Sequence, residues 1–453
     1  MGHHEAIGGK RQLEIAVVGT GISGLSCAWL LSQRHHVTVY EAATRVGGHT
    51  HTVDVDCDGR LVPVDTGFIV YNEPAYPNLT ALFGALGVPT AATNMSFAVS
   101  MDYGRYEYAG SDLAGLLAQP GNLIKPRFWS MAGGLLRFYR QAPRDLATMG
   151  DMTLDAYLDA KGYGRAFRDD HLYPLTAAVW SSPARNAGCQ PAAAFVRFCM
   201  NHGLLQLTGR PIWRTVKGGS REYVSRLTAS FGDRILVGRP VARVHRQDGF
   251  VDVVEPDGTS RRFDHVVLAC HADTALKLLA KPEPAEQRLL GAFQYSRNEA
   301  VLHTDDQLMP RRRAAWASWN YLADVAEDDR RLSVTYWMNR LQPLDTQTQV
   351  FVTLNPLRAP RAGTVISREV YEHPLFDVAN GRAQHQLWQL QGRLNTWFCG
   401  AYFGAGFHED GLQAGLAVAE DLGGLRRPWV VADDIARIVR GPPPPLRATT
   451  AEA

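Results

Sequence analysis

The sequence contains no run of eighteen apolar residues, although 45% of its 453 residues are hydrophobic. A helix that crosses a bilayer needs about twenty consecutive apolar residues, so we expect a soluble chain without a membrane-spanning helix. The length and the hydrophobic content suffice for two intertwined domains. Residues 1–10 lack the apolar core of a secretory signal and are predicted to form a flexible leader, native or left by cloning.

Charge and cysteine patterns exclude further classes of protein. The formal net charge is only +2, with both signs spread along the chain, which gives no reason to expect nucleic acid as a partner. The six cysteines contain no C-x-x-C pair and are expected to be reduced packing residues of a cytoplasmic protein; no metal site is predicted. The segment 441–453 is rich in proline and poor in apolar residues, and is predicted to be disordered.

A glycine-rich turn follows the first strongly apolar segment. The run Ile15–Val18 predicts a buried parallel strand, and Gly19, Gly21 and Gly24 form a G-x-G-x-x-G turn that opens a helix through Leu31. These glycines permit a tight turn, a close approach of backbone N–H groups to phosphate, and close packing of helix on strand. The pattern predicts a pyrophosphate-binding site.

A second predicted strand, 36–40, ends at Glu41, twenty residues beyond Gly21. An acid at this spacing is placed to accept a hydrogen bond from a ribose hydroxyl. A glycine turn in an unliganded α/β unit is the plainer interpretation, but strand, glycines, helix, strand and acid in register favour a dinucleotide. The sequence has no second G-x-G-x-x-G motif that could hold NADPH.

Another glycine turn, Arg45-Val46-Gly47-Gly48-His49-Thr50, follows Glu41 closely and favours FAD over NAD. Here the chain resembles the flavin-containing amine oxidase superfamily, in which a glutamate is followed by Arg-x-Gly-Gly-Arg; His49 takes the place of the last arginine. The resemblance implies an α/β fold: a Rossmann-like FAD-binding domain of the glutathione-reductase type with an interleaved α+β substrate domain.

The resemblance extends to the end of the fold. Gly400 matches a strand-end glycine, Asp410-Gly411 matches an acid-Gly pair, and a helix starting at Gly411 is expected to face the pyrophosphate. It also implies a backbone contact of Val241 to adenine. Gly67 would pass beside the isoalloxazine ring, with Phe68 and Tyr71 near the substrate; a β-bulge glycine with two core aromatics is the alternative.

The expected contacts to FAD therefore come from both ends of the chain. They are Gly19, Gly21, Ile22, Ser23, Gly24, Glu41, Ala42, Arg45, Gly48, His49, Thr50, Gly67, Phe68, Ile69, Val241, Gly400, Asp410, Gly411 and Leu412.

The same resemblance divides the chain into two interleaved domains. The FAD-binding domain is predicted to comprise 11–75, 211–284 and 396–426, and the substrate domain 76–210 and 285–395. The first substrate segment reads as mostly helical, and the second contains strand candidates at 300–303 and 333–337. Within 122–140, basic and aromatic residues alternate, which suits a helix at a lipid headgroup boundary or, more plainly, an amphipathic core helix.

Two positions depart from an amine oxidase. Asn298 aligns with the lysine that holds a water in many members, and His408 aligns with one aromatic of the amine cage. These departures favour an apolar substrate over an amine. The stretches DTGFIVYNEPAYPNL, RPIWRTVKGGSREYV and GFHEDG together resemble a narrower branch, the FAD-dependent oxidoreductases associated with cyclopropane-fatty-acyl-phospholipid synthases. The branch implies an acyl-chain substrate.

The resulting hypothesis is an FAD-dependent oxidoreductase that dehydrogenates an apolar chain by hydride transfer to flavin, with oxygen, a quinone or a carrier as acceptor. His408, Glu409 and Asn298 are the candidate catalytic residues, the first two to remove or relay a proton. A double-bond isomerase, an amine oxidase and a flavin-binding accessory subunit of a lipid-modifying complex are the alternatives. The expected location is cytoplasmic, with peripheral contact at the inner membrane left open.

Overall fold

A computed structural model of the protein describes residues 11–110, 113–180, 184–326, 329–432 and 434–441. The predicted leader and all but the first residue of the predicted tail lie outside these residues, as does a turn expected at Ser182-Pro183.

The centre of the fold is a five-stranded sheet in which every strand is parallel to its neighbours. Apolar side chains on both faces of its central strand are completely buried, as expected for a parallel sheet covered on both sides. In spatial order its strands are Ile235–Val237, His36–Glu41, Glu14–Val18, His265–Leu268 and Thr396–Phe398.

Two helices that cover this sheet pack against each other. Ile22–Leu31 follows the first strand, and His408–Gly423 follows the last. A Cβ at Gly415 would lie 2.2 Å from the carbonyl oxygen of Ser23, so only glycine allows this approach of the two backbones. The predicted strand, glycine turn, helix and second strand are all present. The last helix begins at His408, one turn before the predicted Gly411.

A seven-stranded sheet takes five of its strands from the segment 285–395. The predicted strands at 300–303 and 333–337 are confirmed and are longer than expected. The segment 76–210 is less helical than predicted because it contributes two strands to this sheet. In spatial order the strands are Val365–Leu375, Gln294–His303, Phe351–Leu354, Asp329–Trp337, Trp319–Ala326, Phe97–Met101 and Tyr106–Ala109.

The other described strands form three smaller sheets. The first of them opens with an antiparallel hairpin that begins at Arg243. The strands are Arg243–Gln247, Phe250–Val254 and Ser260–Phe263 in one sheet, Thr52–Cys57 and Arg60–Asp65 in the next, and Tyr71–Asn72, Trp213–Val216 and Thr90–Thr93 in the third.

The remaining helices lie mainly around the second sheet and at the domain junctions. In the part of the chain that the structure describes, no helix has the length and the hydropathy that crossing a membrane requires. The helices are Pro77–Ala85, Leu113–Leu116, Pro126–Asp145, Leu154–Ala160, Arg165–Phe167, Tyr173–Trp180, Ala192–Asn201, Arg221–Thr228, Ala272–Leu278, Pro284–Leu290, Met338–Leu341 and Val378–Gln384.

All five strands of the parallel sheet come from the three segments assigned to the FAD-binding domain. The hydrophobic core around this sheet also takes in residues from the predicted substrate segments, among them Leu79, Leu82 and Trp388. The two predicted domains therefore share part of one core, and the exact division of the chain stays a prediction.

Candidate functional site

One cavity of about 1290 Å³ runs from the glycine turns to the long helix Pro126–Asp145. Pockets for a single small ligand usually occupy about 300–1,000 Å³, so this cavity has room for a large cofactor and a substrate together. We call its two parts the glycine end, next to the parallel sheet, and the apolar arm, which extends toward the long helix.

The three glycines of the first turn have different surroundings. Cβ atoms at Gly19 and Gly24 would lie 2.8 Å from Ala269 O and 2.0 Å from Gly19 O, so packing forbids a side chain at both positions. A Cβ at Gly21 would meet no heavy atom within 4 Å, and this residue lines the cavity. Gly21 is also the N-cap of its helix and makes no side-chain cap, so the positive helix end is left open to a ligand.

Glu41 lies at the C-terminal end of its strand, beside the same turn. Its carboxylate accepts hydrogen bonds from the Thr20 hydroxyl, from Thr20 N at 3.0 Å and from Ala43 N at 2.8 Å. These bonds fix the side chain at the cavity wall, where it can accept a further bond from a ribose hydroxyl. Thr20 was missed by the sequence analysis, although a hydroxyl inside the motif was a usable signal.

The second glycine turn packs on the first. A Cβ at Gly48, which has a φ of +59°, would lie 3.0 Å from Gly21 Cα. The Arg45 guanidinium donates to the carbonyl of Gly48 at 2.7 Å and to that of Thr50 at 3.3 Å, which holds the turn in shape. The two turns together form a single cradle without side chains at its closest points.

The loop at Gly67 continues this wall. A Cβ at Gly67 would lie 2.0 Å from His49 O, and Phe68 N donates to the same oxygen at 2.8 Å. Gly67, Phe68 and Ile69 all line the cavity. Tyr71 does not line it, contrary to expectation, because its ring is buried against Phe83.

Three histidines with aromatic neighbours line the cavity near this loop. The ring of His49 lies 5.5 Å from that of His373 and 6.3 Å from that of His271. Burial lowers the pKa of His49 well below its usual value, and the neighbouring histidines lower it further. His49 is therefore neutral at neutral pH and supplies none of the positive charge that an arginine would bring to this place.

The C-terminal motif closes the glycine end. Gly400 lines the cavity, and Tyr402 beside it has a buried hydroxyl that finds no hydrogen-bond partner among the described residues. An acceptor atom of a ligand could satisfy this orphaned donor. Tyr402 was missed by the sequence analysis, because an aromatic in this motif is equally consistent with the core.

Asp410, Gly411 and Leu412 support the site and do not line the cavity. The Asp410 carboxylate accepts from Phe407 N at 2.7 Å and lies 3.5 Å from the Arg437 guanidinium, and burial raises its pKa to about 6. Gly411 packs on Ile22, and Leu412 is fully buried. The three residues pack the last helix, and their direct contact with the cofactor stays a prediction.

His408 does line the cavity, at the junction of the two parts. Its ring stacks on Phe68 with 3.8 Å between centroids, and its Nε2 lies 3.1 Å from Thr50 Oγ1 and 3.2 Å from Tyr223 Oη. Burial lowers its pKa to about 3, so the imidazole is neutral at neutral pH.

Glu409 and Asn298 do not line the cavity. Glu409 is completely buried, and its carboxylate accepts from the backbone N–H groups of Asn78 and Leu79 at 3.0 and 2.9 Å, at the start of the helix Pro77–Ala85. Asn298 donates to His373 Nδ1 at 3.0 Å and accepts from Asn355. The first is therefore a helix cap rather than a cavity acid, and the second can act only through His373.

Four further predicted cofactor residues, Gly24, Ala42, Thr50 and Val241, also lie outside the cavity lining. Thr50 reaches it only through its hydrogen bond to His408. Ser23 and Ile22 do line it, at the start of the first helix.

The apolar arm is lined mainly by helices of the segment 76–210. Phe198 and Phe407 stack at 4.6 Å, and Trp180 lies 4.9 Å from Phe198. Further lining side chains are Leu135, Tyr139, Leu175 and Val179. The two carboxylates among the described lining residues, Glu41 and Glu372, belong to the glycine end, so the arm carries no acid.

The glycine end fits a dinucleotide in shape and in donors. It offers a cradle in which Gly21 leaves space for phosphate, an uncapped helix N-terminus, and a fixed carboxylate at the ribose position. A flavin reaching from this cradle past Gly67 would extend toward His408 and the arm.

Comparison with known proteins agrees with a dinucleotide site at the glycine end. Residues 22–313 match the family model of the flavin containing amine oxidoreductases. The chain belongs to that family. FAD is therefore its cofactor, as predicted, and its α/β fold with a parallel dinucleotide-binding sheet is the family's fold.

Relatives of this flavoprotein cover several activities. Amine oxidase A of Canis lupus familiaris is 24% identical over 352 residues, which are 73% of this chain and 62% of that protein. The carotenoid φ-ring synthase of Chlorobaculum tepidum is 25% identical over 259 residues, 53% of this chain and 39% of that protein. The flavoprotein thus spans less than two thirds of the length of these relatives.

Solved structures share the fold at low identity. The CLA-producing fatty acid isomerase from P. acnes superposes with a TM-score of 0.64 at 16% identity, over 90% of this chain and 97% of that one. A putrescine oxidase bound to putrescine gives 0.66 at 15% identity, over 91% and 99%.

Proposed function

We propose that the protein is an FAD-dependent oxidoreductase that dehydrogenates an apolar substrate, an acyl chain of the fatty acid class. Bound FAD supplies the hydride acceptor. The chain's own residues hold the cofactor in the two-turn cradle, align the acyl chain along the arm and exclude water from the reacting bond. Oxygen, a quinone or a carrier protein would then receive the electrons.

The observation that carries this proposal is the composition of the apolar arm. Its walls are mostly aromatic and aliphatic, its polar side chains include His171, His202 and Arg210 but no acid, and the cavity's carboxylates, Glu41 and Glu372, lie at the glycine end. An ammonium group in the arm would lose its hydration and gain no ion partner, which is costly, whereas an acyl chain loses nothing on entering. This favours an acyl chain over an amine.

Removing two hydrogens from adjacent carbons also releases a proton. His408 is the proposed proton acceptor because it lines the cavity where the arm meets the Gly67 loop, and its Nε2 contacts the hydroxyls of Thr50 and Tyr223. Its neutral state leaves it able to accept, although a pKa of about 3 makes it a weak base. Glu409 does not share this role, because both of its carboxylate oxygens accept hydrogen bonds at the start of the helix Pro77–Ala85.

The test is anaerobic mixing of the FAD-loaded protein with fatty acids in detergent and, separately, with primary amines. Loss of the oxidised flavin absorbance with a fatty acid supports the proposal, and loss only with an amine replaces it by amine oxidation. A protein that bleaches with neither, yet co-purifies with a lipid-modifying enzyme, would be an accessory subunit.

A second candidate is isomerisation of a double bond in the same acyl chain, which is supported by the fold shared with a fatty acid isomerase. Hydride removed from one carbon and returned to another requires no acceptor. Turnover that shifts a double bond with no consumption of oxygen or quinone would select this candidate over dehydrogenation.

A further inference from the structure

The apolar arm reaches the protein surface beside the long helix Pro126–Asp145. Trp129, Leu136 and Leu207 line the cavity and are also 57%, 40% and 54% exposed. Next to Trp129, the side chain of Ile124 is 87% exposed. We call these four residues the rim. Large apolar side chains clustered in this way on a protein surface usually mark a binding face rather than chance exposure.

A basic groove adjoins the rim on the same helix. Its lining includes Arg137, Arg140 and Arg144 together with Leu136, which it shares with the cavity. The single acid in its wall, Asp145, is already paired with Lys161 at 2.9 Å. Over residues 113–145 the sequence has five basic side chains and one acidic side chain. The groove therefore presents positive charge beside an apolar opening.

We propose that the rim and the basic groove dock the protein on a bilayer that contains anionic lipid, so that an acyl chain passes from the membrane into the arm. The rim enters the headgroup and acyl boundary, where tryptophan is favoured. The arginines of the groove bind lipid phosphates. The inference rests on the proposed function only for the kind of chain that enters. The docking itself is inferred from the rim and the basic groove.

Charge complementarity favours a membrane over a protein partner. A helix that lies on a membrane combines a basic face with an apolar face that carries tryptophan, and this helix has Trp129 and Leu136 exposed beside the arginines. The position of the rim at the end of the arm adds a reason specific to lipid, because a chain moving between bilayer and arm never has to cross water.

Vesicle flotation of the full-length, FAD-loaded protein tests the docking without turnover. We expect binding to vesicles of phosphatidylcholine with phosphatidylglycerol, little binding to phosphatidylcholine alone, and release by high salt. The double variant Arg140→Gln/Arg144→Gln should weaken binding by about five-fold for each charge removed, about 25-fold together. The matched control Arg288→Gln/Arg358→Gln, on exposed arginines of other elements, should bind like the parent.

The apolar rim has its own variants. Ile124→Ser/Trp129→Ser should lose binding, whereas Leu61→Ser, at a position 72% exposed in the Thr52–Asp65 hairpin, should not. Lipids carrying a bromine quencher in the acyl chain should quench the protein's fluorescence, and Trp129→Phe should lose that quenching while still binding. Equal binding by the rim variants and the parent, or a rim-dependent dimer in solution in place of vesicle binding, would overturn the proposal.

Docking and function can fail separately. Flavin bleaching by detergent-solubilised fatty acid without any vesicle binding would overturn the docking and leave the proposed function. Vesicle binding that depends on the rim, without bleaching by any acyl chain, would support the docking and overturn the function.

Discussion

The imidazole of His408 lies flat on the ring of Phe68, with 3.8 Å between the ring centroids and 16° between the planes. Phe68 follows the Gly67 loop and His408 begins the last helix, so this pair joins the two parts of the chain that build the cavity. Both residues line the cavity.

This pair allows the proton role of His408 to be separated from its packing role. His408→Phe preserves a flat ring against Phe68 and should keep full flavin content, but it cannot accept a proton. We expect flavin bleaching by the fatty acid to slow by about 100-fold, the low end for acid–base catalysis, because the parent imidazole is a weak base. His408→Ala should slow it as much and also lower the melting temperature. Stopped-flow bleaching at the parent rate in His408→Phe would leave the histidine only its packing role.

Glu409→Gln separates a structural from a catalytic acid. The carboxylate accepts from two backbone N–H groups at the start of the helix Pro77–Ala85, and from Gln413 at 2.9 Å. Replacing it by an amide should cost about 1–3 kcal/mol of the free energy of unfolding, because buried donors lose a charged acceptor. Flavin bleaching should keep the parent rate once the protein is folded. A bleaching defect of about 100-fold or more at full flavin content, the size of an acid–base effect, would restore a catalytic role.

Two glycines of one motif should respond in opposite ways to alanine. Gly24→Ala places a Cβ 2.0 Å from Gly19 O and should lower the melting temperature of the FAD-free protein or prevent folding. Gly21→Ala meets no atom within 4 Å and should leave that melting temperature unchanged, while FAD affinity falls because the methyl group occupies space in the cradle. Fluorescence titration with FAD measures the second effect. An unchanged FAD affinity in Gly21→Ala would show that the phosphate does not bind next to Gly21.

Acid should destabilise the protein through its buried histidines. Burial lowers the pKa to about 3 or 4 in six of them: His171, His202, His265, His303, His373 and His408. Each stays neutral when folded and takes up a proton when unfolded, so stability falls as the pH drops from 6.5 to about 4. Burial raises the pKa of Asp65 and Asp410 to about 6, so these two carboxyls bind a proton more readily in the folded state and increase stability as the pH falls from about 6 to 3.8. The buried histidines outnumber them, so the net effect of acid is a loss of stability.

One variant tests this balance. His202→Gln should reduce the slope of unfolding free energy against pH by up to one proton, about 1.4 kcal/mol per pH unit, in this window. Urea unfolding at several pH values measures the slope. His245→Gln, on an exposed ring, is the control and should reproduce the parent slope. An identical slope in His202→Gln would mean that its ring is solvated in the folded protein.

The cofactor end of the fold was predictable because its signals are local. Strand, glycines, helix and acid lie within residues 14–41, and each imposes a backbone requirement that the structure meets, such as the φ of +108° at Gly19. The strands Phe97–Met101 and Tyr106–Ala109 were missed within a region predicted as helical, because the first pairs with Trp319–Ala326, more than 200 residues away.

Side-chain roles were harder to predict than backbone roles. His408 and Glu409 are neighbours at the start of one helix, and both were predicted to remove or relay a proton. Helical geometry turns them in different directions, so that one lines the cavity and the other caps Pro77–Ala85. His49, His271 and His373 belong to three separate segments that the fold brings together. No local sequence pattern predicts that their rings are close.

The order of strands in the parallel sheet has a consequence for how the protein is made. One edge strand of this sheet, Thr396–Phe398, and the helix that packs on Ile22–Leu31 are synthesised after the other four strands of the sheet. The ribosome reaches them only after it has added every residue up to Asn395, at about 5–20 residues per second. Until then the first glycine turn has no opposite wall, so the nascent chain cannot enclose a flavin, and loading must wait for these two elements.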